Sequence, residues 1–150
     1  MNYVYDTNML VYIIKQNPVV EKFEKEIAQK KENLRIISIV TKAEIETLSV
    51  LFKWGEHKRE QLKNLLDQFL IVPIDSHNLV AAYVELDAYS QGKHPSKSLG
   101  TTSRNMGKND LWIAATASVT YGTLLTTDDD FDHLNHVFIK VKKPSIKKRS

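Results

Sequence analysis

Four acidic residues stand where an α/β chain could put chemistry to use. Asp6 directly follows the apolar run 2–5 (NYVY), and Asp128 follows 123–127 (TLLTT). Glu44 lies three residues after Thr41 at the start of a helical stretch, and Asp110 opens another at 109–122. Gathered carboxylates repel and raise one another's pKa, so such a cluster is costly unless a cation neutralises it. Oxygen-only donors, with no Cys or His among them, suit Mg²⁺ or Mn²⁺. A pair of such ions can activate water and stabilise the leaving oxygen of a phosphodiester, which is hydrolytic phosphoryl transfer. Each acid also has a purely structural reading. Asp6, with Thr7 and Asn8, suits a helix N-cap. The run 41–44 (TKAE) matches a capping box, with Thr41 as N-cap and Glu44 reaching back. Asp110 complements a helix dipole, and Asp128 suits a turn.

The elements that must bring these acids together alternate between strand-like and helix-like segments. Strands are expected over 2–5, 35–40 (RIISIV), 70–74 (LIVPI), 123–127 and 137–141 (VFIKV). Helices are expected over 9–15, 18–32, 41–54, 56–69, 77–90 and 109–122. This alternation argues for an α/β fold with a mainly parallel sheet of about five strands, whose ligands bind beyond the carboxyl ends of the strands. By that rule the four acids fall on one edge. Residues 92–108 (GKHPSKSLGTTSRNMGK) hold three of the five glycines, four basic residues and no acid, and read as a long loop. Trp54 and Trp112 sit among apolar neighbours and read as packing residues rather than base-stacking platforms.

The totals narrow the function classes. A chain of 150 residues is one domain's worth, and it contains no cysteine, which removes disulfides, thiolate metal sites and cysteine nucleophiles. The five histidines show no HExxH spacing, and His133 and His136 read as surface residues. The apolar start lacks a basic leader region, and no run approaches a membrane span, so a cytoplasmic protein with no membrane association is expected. The net charge is +3, but the last eleven residues (KVKKPSIKKRS) carry six basic side chains and no acid. The remaining 15 basic and 18 acidic residues give −3. The expected organisation is a domain over 1–141 and a basic tail over 142–150, which is either a solvated end or an arm that contacts phosphates.

Four blocks carry a family resemblance: YVYDTNMLVYII, TKAEI, MGKNDLWIAATA and LLTTDDDF, in that order and spanning nearly the whole chain. They resemble the signature blocks of PIN-domain ribonucleases, and most closely those of the VapC-like toxins of type II toxin–antitoxin pairs. The resemblance implies a three-layer α/β/α sandwich and a Mg²⁺- or Mn²⁺-dependent endoribonuclease. Asp6, Glu44, Asp110 and Asp128 match the family's acidic quartet, with Thr7, Asn8 and Thr126 as its small polar supports. It further implies a cognate antitoxin that blocks the acid pocket, and a homodimer. Cleavage would leave 5′-phosphate and 3′-hydroxyl ends without a covalent intermediate. Glu46 cannot replace Glu44, because two helical residues turn it ~200° away.

Within the triplet Asp128–Asp129–Asp130, Asp128 is the expected ligand. Asp130 is expected to cap a short helix that turns Phe131 to the core, and Asp129 to be solvated. Among the loop cations, Arg104 and Lys108 lie nearest Asp110 in sequence. They are either RNA contacts or members of an exposed polar loop. Rival readings fit less well. A haloacid-dehalogenase-like phosphatase needs an acid where Asn8 stands, and a receiver domain needs an acidic pair where Thr7 follows Asp6. The remaining alternative is a catalytically silent PIN-like domain that binds RNA or protein.

Overall fold

Side chains alternate across a strand, and in this chain both faces of the central strands are apolar. Val4, Ile36 and Leu124 point to one face, while Tyr5, Ile37 and Leu125 point to the other. Strands buried on both sides need helices on both sides, and the computed structural model, which describes residues 1–146, has them.

The elements run β1 (Asn2–Tyr5), α1 (Thr7–Ile14), α2 (Pro18–Ala28), β2 (Leu34–Ser38), α3 (Ile39–Leu51), α4 (Glu56–Leu66), β3 (Leu70–Val72), α5 (His77–Ser90), α6 (Lys108–Val119), β4 (Thr123–Leu125), a 3₁₀ turn (Asp129–Leu134) and β5 (Lys140–Lys142). The five strands form one sheet in the order β3-β2-β1-β4-β5, and every pair is parallel. Val4 lies in register with both Ile36 and Leu124. One face is covered by α5, α6 and the 3₁₀ turn through Leu79, Leu86, Leu111, Ile113, Phe131 and Leu134. The other is covered by α1 to α4 through Met9, Leu10, Val20, Ile45, Leu62 and Leu66. The result is the expected α/β/α sandwich.

Several boundaries move, each for a local reason. The apolar run 35–40 does not remain a strand, because Ser38 becomes the N-cap of α3 and its hydroxyl accepts the Val40 N–H. Ile39 and Val40 therefore form a first helical turn. Thr41 is inside the helix rather than at its cap, so the expected capping box does not form, and Glu44 falls in the second turn. The Thr41 hydroxyl is fully buried and finds no hydrogen-bond partner among the described residues. Helix α2 ends at Ala28, four residues short of the expected end, and β5 starts at Lys140 rather than 137.

Of the basic tail, Lys142 closes β5 and Lys143 reaches Asp129 and Asp132 at 2.7 and 2.8 Å. Lys147, Lys148 and Arg149 lie outside the described residues. No helix among the described residues is long and apolar enough to cross a membrane.

Candidate metal centre at the strand switch point

The order β3-β2-β1-β4-β5 reverses direction between β1 and β4. In open parallel sheets that reversal leaves a crevice at the carboxyl ends of the two strands. Asp6 follows β1 and Asp128 lies three residues beyond β4, so both stand at this crevice. An open cleft of about 520 Å³ occupies it, lined by Asp6, Thr7, Asn8, Glu44, Asp110 and Asp128 together with Val40, Ala43, Thr47, Leu48 and Asn109. All four acids singled out in the sequence therefore share one cavity.

Asp6 is the most constrained of them. It extends the ladder of β1, its N–H donating to the Leu125 carbonyl at 2.9 Å, and it is only 4% exposed. Its carboxylate accepts the Thr7 N–H at 2.7 Å on one oxygen and the Thr126 hydroxyl at 2.7 Å on the other. Thr126 also accepts the Asp128 N–H at 3.0 Å, so one threonine links two of the acids. Thr7 donates its hydroxyl to Glu44 at 2.9 Å, linking a third. Asp110 stands in the first turn of α6, whose N-cap is Gly107 and whose positive end faces the cleft.

One member of the triplet, Asp130, departs from its expected role, while Asp129 is exposed as expected. Asp128, not Asp130, caps the 3₁₀ turn: its Oδ1 accepts the Asp130 N–H at 2.9 Å. Asp130 instead turns its carboxylate toward Asp110 and Asp128, and one oxygen from each of the three lies within 4.8 Å of the others. Asp129 pairs with Lys143. Phe131 is fully buried, as expected. A cue was present in sequence: a residue two places beyond an N-cap sits on the first turn it caps, so a ligating cap brings that neighbour with it.

The electrostatics match the geometry. Burial pushes the Asp6 carboxyl up to about 6, against the opposing pull of its bonds from Thr126 and Thr7, with the charges of Glu44 and Asp128 adding to the rise. Burial pushes Asp110 up to about 7, and Asp6, Asp128, Glu44 and Asp130 all raise it further. Among the described residues, no Lys, Arg or His forms an ion pair with any of these five acids; the ion pairs engage Glu24, Glu46, Asp129 and Asp132 instead. Three of these carboxylates converge and Asp6 and Glu44 share the cleft with them, all without a protein cation as partner, a donor set that suits a hard divalent cation.

Outside the cleft, the expected loop is present between α5 and α6, but it is held in place. The Arg104 N–H donates to the Ser90 carbonyl at 2.7 Å, and His94 accepts the Ser96 and Lys97 N–H groups at 3.1 and 3.0 Å. His133 is not the surface residue expected. It is half-buried, stacks parallel to Tyr89 with ring centres 6.4 Å apart, and meets the Ser90 hydroxyl at 2.7 Å. Its partners lie more than forty residues away in sequence, so no local pattern announced them. Trp112 packs on Tyr83 at 4.2 Å, consistent with a packing role.

Comparison with known proteins places the fold. A family model described as PIN domain matches residues 3–137, and the chain belongs to that family. Curated protein sequences give no match. Among solved structures, the VapBC2 complex of Rickettsia felis, bound to a DNA fragment from its promoter, contains a chain 25% identical to this one. The match covers 95% of this chain and 98% of that one, with a TM-score of 0.78. VapBC-1 from nontypeable Haemophilus influenzae matches at 21% identity over 95% and 98% of the two chains, with a TM-score of 0.69. FitAcB from Neisseria gonorrhoeae matches at 22% over 95% and 97%, with a TM-score of 0.68. These last two show the shared fold.

Proposed function

We propose that this PIN-domain protein is a metal-dependent endoribonuclease and the toxin of a toxin–antitoxin pair. The observation that carries this reading is the group of five carboxylates at the strand switch point, four of them lining one cleft and none paired with a protein cation among the described residues. Mg²⁺ or Mn²⁺ bound there supplies positive charge and Lewis acidity at a phosphodiester.

The residues divide the remaining work. Asp6, Asp110, Asp128 and Asp130 would hold the ion, with Glu44 beside them. The Thr126 and Thr7 donors keep Asp6 in one rotamer, so its oxygens are aimed before any ion arrives. Thr7 fixes Glu44 in the same way from across the cleft. Such preorganisation avoids reorganisation during the reaction. Asn8 and Asn109 line the cleft and offer neutral hydrogen-bonding groups to the sugar–phosphate chain. Lys108 at the start of α6 and Arg104 in the preceding loop offset the negative cleft and attract the polyanion.

The toxin role rests on the likeness to chains of VapBC and FitAcB assemblies. A cognate antitoxin that covers the acid cleft, a homodimer and a cytoplasmic location follow from that role. Induced expression in bacteria without the antitoxin tests it. The chain is expected to arrest growth and Asp110→Asn is expected to relieve the arrest. Unimpaired growth with the folded, unaltered chain present would contradict the toxin role.

A further inference from the structure

The ribonuclease mechanism makes no use of one internal polar contact, that of Ser90 with His133. Ser90 ends α5, is fully buried, and its Oγ lies 2.7 Å from His133 Nε2 and 3.2 Å from Met106 Sδ. A serine hydroxyl has one proton, so Ser90 either donates to the Met106 sulfur while His133 Nε2–H donates to it, or donates to His133 Nε2; in both arrangements it joins the loop and the turn. The Ser90 carbonyl accepts the Arg104 N–H at 2.7 Å. One residue thus ties together the end of α5, loop residues 104 and 106, and the 3₁₀ turn.

That turn is the element that carries Asp128 and Asp130 into the carboxylate cluster. The loop leads directly into α6, which carries Asp110. The Arg104 guanidinium lies close enough to His133 to help burial hold the imidazole below its ordinary pKa. Arg104 nevertheless forms no ion pair among the described residues, even with Asp130 and Asp132 on the neighbouring turn. The Arg104 backbone is held through Ser90 to the turn that carries Asp130, and a cation without a carboxylate partner remains available to a phosphate. The loop farther out is also pinned: His94 is 8% exposed in its side chain, pairs with Glu85 at 3.1 Å, and packs against Tyr89 and Phe138.

We propose that Ser90 and His133 are positioning residues that latch the 104–106 segment to the acidic turn, so that Arg104 grips a backbone phosphate of single-stranded RNA at the edge of the acid cleft. This rests on the ribonuclease reading and adds a specific substrate contact to it. Arg104 touches substrate; Ser90 and His133 act only through it.

The test uses a short fluorescein-labelled single-stranded RNA. Its binding is measured by anisotropy in an Asp110→Asn background, and its Mn²⁺-dependent cleavage in the otherwise unaltered chain. Arg104→Ala, Ser90→Ala and His133→Ala are each expected to weaken RNA binding about three- to tenfold, the scale of one lost phosphate contact. KM should rise correspondingly and kcat hold within about twofold. Combining Ser90→Ala with Arg104→Ala should cost no more than Arg104→Ala alone, because the two act as a unit. His133→Gln, whose amide keeps a hydrogen-bonding partner for Ser90, should recover most of the binding. Additive losses in the double variant, a fall in kcat with KM unchanged, or unaltered binding in Ser90→Ala would each overturn the latch. If the unaltered chain neither binds nor cleaves the RNA, the ribonuclease reading itself falls, and the latch with it.

Discussion

Thr126 donates its hydroxyl proton to Asp6 at 2.7 Å while accepting the backbone N–H of Asp128 at 3.0 Å. A single side chain thereby joins the residue after β1 to the residue that caps the 3₁₀ turn, across the point where the strand order reverses. Thr126→Val keeps the shape and removes both contacts. It is expected to lower apparent Mn²⁺ affinity about tenfold, the scale of losing an outer-shell hydrogen bond. It should also destabilise the fold by roughly 1–3 kcal/mol, because a buried acceptor loses its donor. Titration of Mn²⁺ by electron paramagnetic resonance and denaturant unfolding check the two effects separately.

Asp6 at about 6 and Asp110 at about 7 both titrate above an ordinary carboxylate. A raised carboxyl pKa in the folded chain means that the folded state takes up protons more readily than the unfolded one. The stability this provides is fully present below the unfolded value near 4 and is lost as pH rises through the folded values. The metal-free protein is therefore expected to melt lower at pH 8 than at pH 5, by roughly 5 °C. Thermal unfolding in a chelator across this range checks the sign. Unrelated groups that titrate in the same window are controlled by repeating the series with Asp6→Asn.

Metal binding should reverse that slope. Bound carboxylates must be deprotonated, so apparent Mn²⁺ affinity falls as pH drops through 7 and 6, by up to roughly tenfold per unit for each proton displaced. Adding Mn²⁺ should raise the melting temperature far more at pH 8 than at pH 5. An equal rise at both would place the ion elsewhere.

Asp130 and Asp129 should separate cleanly, although they are adjacent. Asp130→Asn removes a member of the carboxylate cluster and is expected to weaken Mn²⁺ binding about tenfold or more. Asp129→Asn alters an exposed pair with Lys143 and should leave metal affinity unchanged, with at most ~0.5 kcal/mol of stability lost. Parallel metal titrations of the two variants read this out directly.

The legible part of this protein is its periodicity and its strand ends. Runs such as 35–40 and 123–127 read as strands, and their alternation with helices argues for the α/β fold and the edge where ligands bind, while the α/β/α layering is what the family resemblance implies. Asp6, Glu44, Asp110 and Asp128 follow from that edge rule. What is not legible depends on contacts between distant segments or on competition at element ends. Thr41 and Ser38 are both plausible caps, and the choice between them turns on where β2 stops pairing with β3 at Val72. Asp130 reads as a cap only while the capping preference of Asp128, two residues earlier, is not carried forward to its neighbours. His133 reads as a surface residue in sequence because its partners, Ser90 and Tyr89, come from the end of α5. The loop before α6 is recognisable as a loop, but its anchoring through Ser90 and His94 is not.

Incubation of end-labelled single-stranded RNA with purified protein tests most directly whether the acid cleft hydrolyses RNA with a divalent cation. Mn²⁺ or Mg²⁺ should yield discrete internal cleavage products, which a chelator abolishes and Asp6→Asn reduces at least about 100-fold, the scale of losing a principal electrostatic contact. Asp6→Asn should at the same time melt higher than the unaltered chain in chelator at pH 8, because a repelled buried charge is gone. Cleavage that persists equally in Asp6→Asn, or no cleavage with either ion by the folded protein, would contradict a metal-dependent ribonuclease.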